Sequence, residues 1–76
     1  MISVKVVSEK TGKSLQGISV SISFSSFLRG ITSTIYTDCN GEAHFDVEPG
    51  EGTVYVRGTA VEKGYLSGKV VIYIKK

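Results

Sequence analysis

The sequence predicts an all-β domain, a sandwich of about six to seven short, mostly antiparallel strands. Three observations carry that expectation. Apolar and polar residues alternate with period two in most of the chain. Glycine-marked turns interrupt the alternation at short, regular spacing. No window has the three-to-four-residue apolar spacing of a helix of useful length. With 76 residues the chain forms a single domain, 1–76, that buries only about 60% of its unfolded surface, so most apolar side chains are needed for the core. A hydrophobic fraction of 41% is too high for a disordered segment.

Ile2–Ser8 places Ile2, Val4 and Val6 on one face and Ser3 and Lys5 on the other, as in a half-buried strand. Glu9–Gly17 carries Gly12 and Gly17 among polar residues and reads as a loop, with Leu15 as a plug for the end of the core. Ile18–Ser26 has the cleanest alternation. Ile18, Val20, Ile22 and Phe24 oppose Ser19, Ser21, Ser23 and Ser25. The serine face has the small hydroxyls that discourage strand-edge pairing, or else offers a flat polar surface to a partner strand or glycan.

Phe27–Ile31 breaks the register and reads as a loop or bulged corner. Thr32–Asp38, rich in β-branched residues, is expected to pair with the next strand through a hairpin at Asn40-Gly41, because Asn-Gly supplies positive φ at low steric cost. Glu42–Val47 sets Ala43, Phe45 and Val47 against Glu42, His44 and Asp46. Glu48–Gly52 reads as a second turn around Pro49-Gly50, and Thr53–Gly58 as a strand with Tyr55 and Arg57 out of phase with Val54 and Val56. Thr59–Gly68 is looser, with room for a very short strand or one helical turn at Ala60-Val61. Lys69–Lys75 is the last strand, with Val70, Ile72 and Ile74 against Val71 and Tyr73.

Charge and chemistry exclude more than they specify. Nine basic and seven acidic residues, scattered singly, give a net charge of +2 and no electrostatic footprint for nucleic acid. No apolar run approaches the roughly 20 residues that span a bilayer. The alternating first residues read as a strand and not as a signal peptide. Cys39 and His44 are too few for a closed zinc site, which needs about four ligands. A Cys39–His44 nucleophilic pair has an orienting group to hand in Asp46, but it also needs Cys39 to reach the ring from its place in the turn, and a turn thiol and a solvent-facing imidazole are the simpler expectation. Asp38, Asn40 and Glu42 crowd oxygen ligands together, but without the later bidentate glutamate of a calcium loop, and turn chemistry accounts for them. We therefore expect no catalytic residue, no cofactor and no metal.

The segments Thr11-Gly12-Lys13-Ser14-Leu15-Gln16-Gly17-Ile18-Ser19-Val20, Thr37-Asp38-Cys39-Asn40-Gly41-Glu42-Ala43-His44-Phe45 and Val47-Glu48-Pro49-Gly50 resemble the carboxypeptidase regulatory-like and transthyretin-like (prealbumin-like) sandwiches. They are also similar to the B-type repeats of bacterial collagen adhesins. The resemblance implies a prealbumin-like, Ig-like sandwich and a place in the extracellular or cell-envelope repertoire, as accessory domain, spacer or sugar-associated module. Two family activities are not implied. The adhesin Lys–Asn crosslink has a candidate donor in Lys5 but no asparagine or aspartate in the last strand. The related hydrolases carry a C-terminal Tyr-Arg-Gly-Ser motif and paired histidines, where this chain has Ile72-Tyr73-Ile74-Lys75-Lys76 and His44 alone.

The functional expectation is a non-catalytic module acting as a structural spacer or protein-interaction domain. A carbohydrate- or small-ligand-binding module and a self-associating oligomer stay open as alternatives. The expected interaction surfaces are Phe27, Leu28 and Arg29, an aromatic-aliphatic-arginine cluster of hot-spot composition, and an outward tyrosine platform of Tyr55 and Tyr73, formed if their strands share a sheet.

Overall fold

The computed structural model describes residues 1–25 and 30–75. It is a sandwich of two sheets, built from β1 (Ile2–Ser8), β2 (Ser19–Phe24), β3 (Ile35–Tyr36), β4 (Glu42–Phe45), β5 (Gly50–Val56), β6 (Thr59–Leu66) and β7 (Gly68–Ile74). One sheet has the order β4-β1-β7 and the other β3-β2-β5-β6. All pairings are antiparallel except β1 with β7, which runs parallel from Ile2↔Gly68 to Ser8↔Ile74. Phe27, Leu28 and Arg29, one expected contact surface, lie outside the described residues.

The period-two alternation decides the core. Ile2, Val4 and Val6 of β1 meet Val20, Ile22 and Phe24 of β2 across the sandwich, with Ala43, Phe45, Val54, Val56, Leu66 and Ile72 completing the layer. Leu15 packs against one end of it, as the sequence suggests. The loop 9–17 runs antiparallel alongside the second half of β1, where Leu15 N–H donates to the Val6 carbonyl at 2.9 Å, Ser8 N–H donates to the Lys13 carbonyl at 2.8 Å and Ser14 is bridged to Val7. Thr37 locks this end, because its hydroxyl donates to the Leu15 carbonyl at 2.6 Å and accepts the Ile18 N–H at 2.9 Å.

Several sequence expectations are corrected. The reversal at Asn40-Gly41 is present, but it does not join a hairpin: β3 pairs with β2 and β4 pairs with β1, so the turn carries the chain from one sheet to the other. Its geometry also differs from the one expected. Gly41 N–H donates to the Asp38 carbonyl and only Gly41 has positive φ, so Cys39 and Asn40 are the centre of a three-residue turn that ends in a left-handed glycine. Of Thr32–Asp38 only Ile35–Tyr36 is strand. Thr32 and Thr37 use their side-chain oxygens to accept the N–H groups of Ile22 and Ile18 in place of a longer ladder.

The segment expected to be loose, Thr59–Gly68, contains the longest strand of the chain. Gly52 is not in a turn either; it is a buried residue of β5 opposite Phe24. The β5–β6 hairpin turns at Arg57-Gly58, where both residues have positive φ, +55° and +81°, the pattern whose twist matches antiparallel strands. Arginine is not a residue that announces such a turn. The serine face belongs to β2, which lies between β3 and β5, so it does not guard a sheet edge.

Candidate functional site

The outer face of the three-stranded sheet gathers most of the chemistry on the molecule. Alternation turns Ser3, Lys5 and Val7 of β1, Glu42 and His44 of β4, and Lys69, Val71 and Tyr73 of β7 away from the core. The register then sets Ser3 between His44 and Lys69, Lys5 between Glu42 and Val71, and Val7 beside Tyr73.

One half of the face is a polar network. Ser3 Oγ lies 2.8 Å from His44 Nδ1, with the direction of donation set by the ring tautomer. His44 Nε2 lies 3.4 Å from Glu42 Oε1 and 3.8 Å from Asp38 Oδ2, and Lys69 Nζ reaches across β1 to Glu42 Oε2 at 3.0 Å. Serine, imidazole and carboxylate stand here in the order of nucleophile, base and orienting acid. Both acid contacts exceed the roughly 2.6–3.2 Å that such an orienting bond needs, and the ring is about half exposed at 47%. The network pins β4 to β1 and β7 at their outer surfaces.

Asp38 has a separate job. Its carboxylate accepts the backbone N–H groups of Asn40 at 2.9 Å and Glu42 at 3.1 Å, closing the turn between the two sheets. The Glu42 and Asn40 amides, and then the charge of His44, hold its carboxyl below the ordinary aspartate value. The charged form is thus favoured in the folded state, so its contribution is present above the ordinary aspartate pKa and is lost as pH falls through the lowered one. Acid titration followed by amide exchange is expected to release the Asn40 and Glu42 amides in that window. In Asp38→Asn, which cannot ionise, their protection should not change there.

The other half of the face is apolar and open. A surface depression of about 450 Å³ is lined by Lys5, Val7, Gly12, Ser14, Lys69, Val71 and Tyr73, with the 9–17 loop as its wall. Lys5 forms no ion pair among the described residues. A second depression of about 340 Å³ opens between the end of β7 and the start of β6, at Val56, Arg57, Thr59, Val61, Ile74 and Lys75.

Tyr73 is 64% exposed on this face, as the alternation predicts. Tyr55 is half-buried on the outer face of the other sheet, opposite Ser21. The two rings therefore sit on opposite sides of the sandwich and form no common platform, because β5 and β7 belong to different sheets. Cys39 is exposed in the turn, and the groups that meet His44 are Ser3, Glu42 and Asp38. The Ser3–His44 contact was not legible in the sequence, because it joins residues 41 apart through the β1–β4 register. Among the described residues no helix is long and apolar enough to cross a membrane. No protein-family model matches the chain, and no curated protein matches it significantly.

Proposed function

We propose that the chain is a non-catalytic β-sandwich module that serves as a structural spacer or protein-interaction domain. The observation that carries this reading is the parallel pairing of the first and last strands. Because β1 and β7 run the same way, the start of β1 and the end of β7 lie at opposite ends of their shared ladder of seven pairs, roughly 20 Å apart. Chain enters at one end and leaves at the other, which is the arrangement that lets a module extend a larger assembly. Tension applied through the two ends would pull β1 and β7 in opposite directions along their shared ladder. The evenly spaced bonds of seven residue pairs are then loaded together in shear.

Single-molecule stretching tests the reading. A chain tethered through Met1 and Lys75 is expected to unfold at a force several-fold higher than one tethered through Met1 and Ser67. The second geometry opens the ladder from the Ile2–Gly68 end, one pair at a time. Equal forces in the two geometries would remove the basis for a spacer. Of the two tyrosines behind the glycan-binding alternative only Tyr73 lines the depression beside Lys5, since Tyr55 lies on the far face, while the surface of Phe27, Leu28 and Arg29 on which it also rests lies outside the described residues.

A further inference from the structure

Each sheet has two bordering strands, and three of these four edges are poor templates for another strand. β3 has two residues and β4 four. β6 is long, but its register with β5 shifts between Val54 and Tyr55, leaving Val61 unmatched. Glu62 stands opposite the core-facing Val54 and so is directed toward the core side of the sheet. A bulge and an inward charge are two of the devices that block edge-to-edge pairing.

β7 has neither device. Its seven residues pair with β1 without a shift, its core-facing side is Val70, Ile72 and Ile74, and its outer side is Lys69, Val71 and Tyr73. The Ile74 carbonyl accepts the Glu9 N–H at 2.8 Å, so it points toward β1. Alternation along the strand turns the backbone N–H and C=O groups of Lys69, Val71 and Tyr73 the other way, to the open edge of the sheet. No other strand pairs with that edge among the described residues.

We propose that β7 pairs antiparallel with β7 of a second copy, about a two-fold axis at Val71, to form a six-stranded sheet across the dimer. This goes beyond the spacer reading and does not depend on it. Symmetry selects the register. The edge-facing residues are odd-numbered in both copies, so the axis must pass through a residue and not between two. With Val71 opposite Val71, Lys69 stands opposite Tyr73 of the second copy on each side of the axis. All three edge-facing residues of each copy then exchange both backbone bonds. The aliphatic stem of each Lys69, whose ammonium is turned back to Glu42 Oε2 at 3.0 Å, is brought beside a tyrosine ring of the second copy. Shifting the axis to Ile72 would oppose Lys69 with Lys75 of the other copy, and like charges directly opposite are destabilising. Shifting it to Val70 leaves Tyr73 opposite Ser67, beyond the strand. The register centred on Val71 is thus the one that keeps all three edge-facing residues paired within the strand and also places no like charges together.

Sedimentation velocity of the full chain over a concentration series, together with oxidative crosslinking, tests the proposal. The wild type is expected to sediment at twice the monomer mass. Val71→Lys places two ammonium groups across the axis at a position that is 45% exposed in the monomer, and is expected to halve the mass with an unchanged circular dichroism spectrum. In a Cys39→Ser background, Val71→Cys should oxidise to a covalent dimer, since directly bonded antiparallel pairs have Cα atoms about 5.5 Å apart, within disulfide range. Tyr73→Cys should not, because its symmetry mate lies four residues along the strand, roughly 14 Å away. A wild type that stays monomeric throughout would overturn the proposal, as would a folded Val71→Lys that remains dimeric. Equal crosslinking of the two cysteine variants would overturn the register. Should Val71→Lys fail to fold, the cysteine pair decides.

Discussion

Gly41→Ala is expected to lower the unfolding free energy by roughly 2–5 kcal/mol, the sum of two penalties at one position. Gly41 has φ +75°, where a side chain costs about 1–2 kcal/mol. It is also the point where three segments meet. Its carbonyl accepts the Val6 N–H at 2.8 Å, and the 9–17 loop passes directly over it. An added Cβ would stand 2.7 Å from Ser14 Cβ, 2.9 Å from the Val6 carbonyl oxygen and 3.1 Å from the Leu15 nitrogen. Two of these are backbone atoms held by the Leu15–Val6 hydrogen bond, so relief requires the loop to lift from β1. Overpacking of this kind costs typically about 1–3 kcal/mol.

A 76-residue domain has only about 4–11 kcal/mol of stability at the usual 0.05–0.15 kcal/mol per residue, so the change should be visible as a large fall in the urea midpoint. Gly17→Ala separates the two penalties. Gly17 has φ +74° but open space around its would-be Cβ, so it should show the conformational cost alone, about 1–2 kcal/mol. Equal losses at the two glycines would mean that the crossing of loop and strand is not as tight as the distances imply.

Where sequence and structure agree, a local pattern was enough. The alternation of Ile18 to Phe24 and of Val70 to Ile74 fixes which side chains are buried, because a one-residue slip would move every apolar group to solvent. Where they part, the deciding contact is not local. Asn40-Gly41 reverses the chain as its composition demands, yet nothing between Thr37 and Glu42 states that the flanking strands enter different sheets. That follows from β1 taking β4 as its partner, a pairing between residues about 40 positions apart. Arg57-Gly58 was missed for the opposite reason. Its left-handed arginine is imposed by the strands on either side and by the Arg57 N–H donating to the Ser19 carbonyl at 3.0 Å.

The candidate surfaces divide in the same way. The outward direction of Tyr55 and Tyr73 was legible from parity, whereas their separation onto two faces and the open edge of β7 belong to topology. A sequence states which way a side chain points before it states what lies beside it.

Thr37 shows what topology adds at a single residue, and Thr37→Val is expected to cost on the order of 2–4 kcal/mol. The substitution keeps the volume and the β-branching, so the χ1 and backbone preferences at this position are retained. What it removes is one hydroxyl at a residue only 3% exposed. That oxygen accepts the Ile18 N–H and donates to the Leu15 carbonyl, and both backbone groups are left without a partner where water does not replace it. Each orphaned group costs about 1–3 kcal/mol, far more than the net value of the bond that was lost. The surrounding bonds cannot compensate, because Gly17 N–H already donates to the Thr37 carbonyl and Thr37 N–H to the Ile18 carbonyl. Thr37→Ser keeps the hydroxyl and gives up a methyl group, so it should cost only about 1 kcal/mol. Urea unfolding of the two variants should therefore rank valine well below serine, the reverse of what a purely apolar site would give. A valine variant as stable as the wild type would mean that water reaches the Ile18 and Leu15 groups and that this end of the sandwich is open.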